Sequence, residues 1–394
     1  MRYLAALLVV LAPTLPTCSA SEPLSVDFEM PSSGRVVVAA KGGVQFDALI
    51  NGEGPFRLIF DSGAEGNTLS PTVAKQLGLI EEGPVAEATG AGSGSILARA
   101  AKVTSVCIGD LVLHDQKFYI LPMPWGDRPG PVGAVGFEIM RRLVVTVDYE
   151  REQLGFNLPQ RFTYTGHGVK VPIESKRTPN EIEVKGSVNG AAGVFCIDTG
   201  DEGSLEVERR FVSQYNLAKQ LSPKFHGYAG SGISGAMPPA YYSRVKSVRI
   251  GEAEVTNVLA DLFDGQAISD ENSGNIGTRV LRQFTVTFDL PHGVMYLEKN
   301  SNWGKPEVFN RAGIIIDSIH MDQRVMNVLP ESPAAMAGVE IGDVLLQIDG
   351  RAPSDNPLLQ GDPAFWQAAG TMLRLTVQHG EQVRKIKIRL RELL

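Results

Sequence analysis

Residues 46–79 read FDALINGEGPFRLIFDSGAEGNTLSPTVAKQLGL, and residues 184–217 read VKGSVNGAAGVFCIDTGDEGSLEVERRFVSQYNL. Set one above the other, both carry an Asn-Gly turn, an apolar run, the tripeptide Asp-Ser/Thr-Gly and then a segment that ends in leucine. The correspondence continues downstream. Gly90–Ser95 answers Gly227–Gly232, Val106-Cys107-Ile108-Gly109 answers Val248-Arg249-Ile250-Gly251, and VGFEIMRRLVVTVDYEREQLGF (135–156) answers IGTRVLRQFTVTFDLPHGVMYL (276–297). The offset is 137 residues at Asp61 and Asp198 and 141 at Gly136 and Gly277. Chance copies a tripeptide but not four blocks in order, so the chain holds an internal duplication. Lobe 1 is expected over 25–162 and lobe 2 over 163–302.

Each copy reads mainly as β-structure. Val144 to Val147 is a β-branched run suited to a pleated strand, and Arg151-Glu152-Gln153 and Pro291-His292-Gly293 mark hairpins between paired strands. Ser70 before Pro71 is an N-cap and first-turn pair for a short helix reaching Leu77.

The duplicated Asp-Ser/Thr-Gly points to chemistry. Leu58-Ile59-Phe60 leads into Asp61-Ser62-Gly63, and Phe195-Cys196-Ile197 leads into Asp198-Thr199-Gly200. A carboxylate at the end of an apolar strand is costly to bury without hydrogen bonds. A single tripeptide of this kind is most simply an Asp-capped turn; at equivalent points of two related lobes, the carboxylates would meet on the pseudo-two-fold axis. Two adjacent carboxylates share a proton, one acting as acid and the other as base, which suits hydrolysis by water without a metal or a covalent intermediate.

FDSGAEGNTLS and IDTGDEG, each followed by a Gly-rich hairpin and a later hydrophobic-Gly pair (Val135-Gly136, Ile276-Gly277), resemble the aspartic peptidases over residues 35–300. Lobe size and Leu77-Gly78-Leu79 resemble the retropepsin-like group more than pepsin, although retropepsins are usually homodimers and this chain carries both motifs. The resemblance implies two β-barrel lobes with Asp61 and Asp198 as the catalytic pair. Ser62 and Thr199, with Gly63 and Gly200, would tie the active-site loops together. Gly92, Ser93, Tyr228 and Gly230 would sit in flap hairpins over the substrate. The second motif departs from the pattern by continuing into Asp201 where the first has Ala64. Facing inward, Asp201 would raise the pair's affinity for protons; otherwise it points to solvent.

From about residue 305 a third pattern begins. LPESPAAMAG (329–338) and IGDVLLQIDG (341–350) resemble the PDZ domains of bacterial periplasmic peptidases over 305–394. Ser332 and Pro333 start a helix of one or two turns that Gly338 ends. The resemblance implies a groove for C-terminal peptide tails, with Ala312, Gly313 and Ile314 as its carboxylate loop and a helix from Asp362 to before Gly370 along it.

The remaining features set bounds. A net charge of −7 argues against nucleic-acid binding, which needs a basic face. Residues 1–20, with Arg2 ahead of an apolar run from Leu4 to Ala12, read as an export signal, giving a secreted or periplasmic protein. Its end is compatible with simple cleavage or with a lipid anchor on Cys18, and no later segment is long enough to span a membrane. Cys107 and Cys196 lie in apolar runs and read as buried free thiols. Six histidines lack ligand spacing and no G-x-S-x-G elbow occurs, so no metal or other cofactor and no serine, cysteine or metal mechanism is expected. The expected function is endopeptidase cleavage of peptide or protein substrates, with the PDZ module recruiting or regulating. The alternative is a catalytically silent peptide-binding scaffold of the cell envelope.

Overall fold

The computed structural model describes residues 28–394 except 89, 93, 127–128, 175–180, 228–230, 266–271, 317–322 and 355–361. The architecture is mainly β. The pseudo-symmetry is visible first in a six-stranded sheet to which each repeat contributes three strands. Its order is Val169–Pro172, Val294–Lys299, Phe284–Asp289, Val144–Asp148, Gln153–Asn157 and Arg35–Ala39. The two central strands are the duplicated blocks themselves, antiparallel to each other, with Thr146 opposite Thr287. These residues stand 141 apart in sequence, the offset of the repeat, and their hydroxyls are 3.1 Å apart. The pseudo-two-fold axis therefore passes between them. Val145, Val147, Val286 and Phe288 alternate with the threonines and are buried beneath the sheet.

On either side of this sheet the repeats form barrels. In lobe 1, strand Glu53–Phe60 pairs antiparallel with Gln45–Ile50 and parallel with Gly133–Val135, and long strands Ile96–Ile108 and Leu111–Ile120 close the wall. In lobe 2, Ala191–Ile197 lies between Glu183–Val188 and Gly274–Ile276 in the same arrangement, with Ala240–Ile250 and Ala253–Phe263 as the long hairpin. A single apolar core runs through both lobes and the shared sheet, with Phe46, Phe60, Phe118, Phe156, Phe195, Phe284 and Phe288 inside it. Ser70 caps helix Pro71–Gln76 by accepting from the Val73 N–H.

The PDZ region has a separate core built on Ile314, Ile316, Leu345, Phe365, Leu375 and Ile388. Ser332 caps helix Pro333–Met336 as its sequence requires, while the expected groove helix is a single 3-10 turn, Pro363–Trp366, started by Asp362. A bridging cluster of Tyr242, Ile315, Leu329 and Leu393 joins this region to lobe 2. No helix among the described residues is long and apolar enough to cross a membrane. Cys196 is buried, and burial together with the neighbouring Glu181, Asp198, Glu183 and Asp61 pushes its thiol pKa well up. Cys107 is only half-buried, so the expectation of a buried thiol fails there: its strand alternates, and Cys107 falls on a less covered position than Val106 and Ile108.

Candidate active site

Asp61 and Asp198 each follow the last residue of a buried strand. The Asp61 N–H donates to Val135 O at 2.9 Å, and the Asp198 N–H donates to Ile276 O at 3.0 Å. Gly136 is required where the chain passes behind Asp61, because a Cβ there would lie 2.0 Å from the Asp61 carbonyl oxygen. Each motif then turns tightly, with the Gly63 N–H donating to Asp61 Oδ1 at 3.0 Å and the Gly200 N–H to Asp198 Oδ1 at 2.8 Å.

The two loops are locked to each other by reciprocal hydrogen bonds. The Ser62 N–H donates to Thr199 Oγ1 and the Thr199 N–H to Ser62 Oγ, both at 2.9 Å. Each hydroxyl passes its own proton onward, Ser62 Oγ to Ile197 O and Thr199 Oγ1 to Phe60 O, both at 2.7 Å. Four bonds thus join the lobes beneath the aspartates. The carboxyls meet at Gly200: its N–H serves Asp198, while a methyl group in its place would lie 2.4–2.6 Å from the Cγ and both oxygens of Asp61. Asp61 is 2% exposed and Asp198 0%.

Loops of the two lobes also meet as a roof beside Ala64, three residues after Asp61. The Gly94 N–H donates to Ser234 O at 2.9 Å and the Ser234 N–H donates to Ala91 O at 3.0 Å, so loops from both lobes meet over the cleft. Gly92 fits there with a φ of +125° and no room for a Cβ, which would lie 2.6 Å from the Ser234 carbonyl carbon. Ile233 reaches across to an apolar pocket of Ala64, Ala86, Ala88, Ala98, Tyr119 and Leu121 in lobe 1. In lobe 2 the roof extends through hairpin Ser231–Gly232 and Gly235–Ala236, whose second strand lies beyond the Gly227–Gly232 stretch marked out from sequence. Gly92 lies in this roof, whereas Ser93, Tyr228 and Gly230 fall outside the described residues.

The flanks of the pair differ sharply between lobes. Crossing the lobe 2 sheet, successive neighbours are Glu183, Cys196, Asn275, Glu206, Asp261 and Tyr242. The same row in lobe 1 is Gln45, Ile59, Ala134, Thr68, Tyr119 and Ala100. Asp201 faces inward and is 0% exposed, with Oδ1 accepting from Gly203 N–H at 2.6 Å. Asn275 Nδ2 lies 3.0 Å from Asp198 Oδ2 and 3.1 Å from Asp201 Oδ2. Motif reading passed over Asn275. The signal was present in the alignment of the repeats, where Asn275-Ile276-Gly277 stands against Ala134-Val135-Gly136. Among the described residues, no group of three or more His, Cys, Asp or Glu is arranged to hold a metal ion.

At the PDZ loop two of the expected donors already have an acceptor. The Ala312 and Gly313 N–H groups donate to Asn310 Oδ1 at 3.0 and 2.9 Å, and are therefore engaged within the chain. Ile314 belongs to the strand Ile314–Ile316, paired with Val325–Val328. Gly313 is packed against Ser332 and Leu393. The domain's outer strand also leans on the lobe 2 roof, with the Asn327 side chain against Gly227.

A family model described as "Aspartyl protease" matches residues 46–139, and one described as "PDZ domain" matches residues 307–390. Among solved structures the chain is similar to basic 7S globulin from soybean, at 13% identity over 68% of this chain and 95% of that one, with a TM-score of 0.38. It is also similar to the aspartic proteinase from Irpex lacteus, at 14% identity over 68% and 98%, with a TM-score of 0.45. The retropepsin-like aspartic protease from Rickettsia conorii aligns at 19% identity over 34% and 96%, with a TM-score of 0.25. No curated protein matches the chain. The aspartyl protease match thus takes in the first Asp-Ser-Gly, and the PDZ match takes in the separate C-terminal core.

Proposed function

We propose that this protein is an aspartic-type endopeptidase in which Asp61 and Asp198 activate one water between them. The observation that carries this reading is the reciprocal Ser62–Thr199 lock, which brings two Asp-Ser/Thr-Gly loops from two lobes to a common point at Gly200. With one carboxyl ionised and the other protonated, the ionised group takes a proton from water as its oxygen attacks the amide carbon. The protonated group donates to the carbonyl oxygen, giving a diol intermediate. The following collapse, with proton transfer to nitrogen, releases the amine. An extended peptide segment is the substrate that fits below two meeting loops once they part. The leader-like residues 1–20 assign this activity to the exported side of the membrane.

The PDZ domain in this reading regulates the roof as well as binding peptides. It packs on lobe 2 through Tyr242, and its Asn327 touches the base of the lobe 2 roof at Gly227. The test is digestion of a peptide library by the purified protein beside its Asp61→Asn and Asp198→Asn variants. Cleavage by the parent and none by either variant is the expected result, and the two losses should not add because the residues act as a unit. Substantial turnover by either variant rules out the shared-proton mechanism.

A further inference from the structure

The two aspartates are not served alike. Asp198 Oδ1 accepts from the N–H groups of Gly200 and Asp201 at 2.8 and 3.0 Å, and Asp198 Oδ2 accepts from Asn275 Nδ2 at 3.0 Å. The second hydrogen of the same Nδ2 goes to Asp201 Oδ2 at 3.1 Å. The positions equivalent to Asn275 and Asp201 in lobe 1 are Ala134 and Ala64, which have no polar side-chain atoms to offer Asp61. The amide's orientation is also determined. Among the described residues Asn275 Oδ1 is buried and accepts no hydrogen bond, so the two carboxylates on the Nδ2 side dictate which way the group faces.

A donor shared between two carboxylates favours both as ionised acceptors, since a proton on Asp198 Oδ2 would oppose the N–H aimed at it. The surroundings make this matter. Asp61, Asp201, Glu181, Glu183, the Cys196 thiol and the Tyr149 phenol all interact electrostatically with Asp198 or its neighbour Cys196, or bond to the same amide, and the buried Glu206 stands opposite Asn275 in the sheet. Each is anionic or neutral, and Asp201 by itself would push Asp198 toward its protonated form.

We propose that Asn275 is a positioning residue that fixes the division of labour in the pair. It holds Asp198 as the ionised carboxylate that takes the proton from water, and leaves on Asp61 the proton given to the carbonyl oxygen. In that step the water O–H bond breaks toward Asp198, the C–O bond forms, and the Asp61 proton moves to the former carbonyl oxygen. Asn275 itself neither gives nor takes a proton in this step; its one bond to the pair is to Asp198 Oδ2. It acts through Asp198.

This assignment rests on the peptidase reading, and its test keeps the two apart. The pH dependence of kcat/KM is measured for the full chain with a peptide found by library digestion, for the parent, Asn275→Ala and Asp201→Asn. Loss of the amide raises the proton affinity of Asp198, so the acid limb of Asn275→Ala should move up by about one pH unit, a roughly tenfold loss on the acid side with a smaller change on the plateau. Loss of the Asp201 charge should move the acid limb of Asp201→Asn down. A uniform fall at every pH for Asn275→Ala, with the limb in place, overturns the proposal and indicates support of the fold only. Should Asn275→Ala not fold by circular dichroism, Asp201→Asn decides: an unmoved or raised limb overturns the assignment. With Asp61→Asn and Asp198→Asn inactive and both limbs unmoved, only the role of Asn275 fails. No cleavage by the parent, or cleavage by those two Asn variants, removes the peptidase reading and this assignment with it.

Discussion

Thr199→Val is nearly isosteric and removes one atom that makes two cross-lobe hydrogen bonds. Thr199 is 1% exposed and Ser62 0%, so water does not replace what is lost. The variant orphans the Ser62 N–H, which had donated to Oγ1 at 2.9 Å, and Phe60 O, which had accepted at 2.7 Å. Each buried backbone group left without that bond costs about 1–3 kcal/mol, so the lobes should lose about 2–6 kcal/mol of stability. For a unit of this size the thermal midpoint should fall by roughly 5–15 °C. Urea unfolding followed by tryptophan fluorescence measures this, since Trp125 is buried in lobe 1 and Trp303 packs on Phe284 in lobe 2. Turnover should fall by about 100-fold as well, because the lock aligns the carboxyls and an ångström of drift carries a penalty of that order. Ser62→Ala, which strips the mirror-image pair of bonds to Thr199 N–H and Ile197 O, should match it within a factor of a few. A Thr199→Val protein that unfolds within about 1 kcal/mol of the parent and keeps its turnover would refute the claim that these bonds hold the site together.

Gly92→Ala should cut peptide cleavage at least tenfold while moving the unfolding midpoint little, since its Cβ collides with Ser234 in the roof and not in the core; unchanged kinetics would show that the roof contact is dispensable. Hydrogen bonds from Arg351 and from the Ala364 and Ser354 N–H groups outweigh burial and hold the Asp362 carboxyl below its ordinary value. The stability this contributes is present above the unfolded value near 3.8 and lost as pH falls through the lower folded one. Asp362→Ala should therefore destabilise the PDZ domain at pH 7 by about 1–3 kcal/mol, and the difference from the parent should vanish in strong acid. Asn310→Ala frees the Ala312 and Gly313 N–H groups, and should tighten binding of free C-terminal peptides about tenfold without affecting amidated ones, read by calorimetry. Of the two described thiols, Cys107 should react with a thiol reagent in the native protein at pH 8 and Cys196 only after unfolding; rapid modification of both would contradict the burial of Cys196.

The duplication made the fold legible, because a repeated strand-Asp-Ser/Thr-Gly-helix unit has few ways to bury both apolar runs at once. The same alignment located the central strands and the Ser62–Thr199 lock, whose residue types follow from needing an N–H acceptor and a donor in one small side chain. What escaped reading was set by register and by tertiary approach. Whether Asp201 turned inward depended on Asn275, some 74 residues away, and a lone Asn before Ile-Gly carries no motif. Asn310 filling the PDZ loop is likewise a local hydrogen bond that competes with the ligand a resemblance suggests. The roof left only its glycines to be read, Gly92 and Gly94 having no room for a Cβ against Ser234, while its partner Ser234 is met through backbone atoms and carries no signal of its own.

The antiparallel meeting of Thr146 with Thr287 has an evolutionary consequence. In a dimer of identical chains every substitution near the axis appears twice, so an acidic residue gained beside the aspartates would arrive as a mutually repelling pair. Joining the halves into one chain removes that constraint. Lobe 2 carries Asp201, Glu206 and Asp261 where lobe 1 carries Ala64, Thr68 and Tyr119, a difference that two identical chains could not hold. A symmetric dimer rebuilt from two copies of lobe 2 would crowd six such carboxylates around one axis and should assemble only in acid, whereas two copies of lobe 1 face no such repulsion.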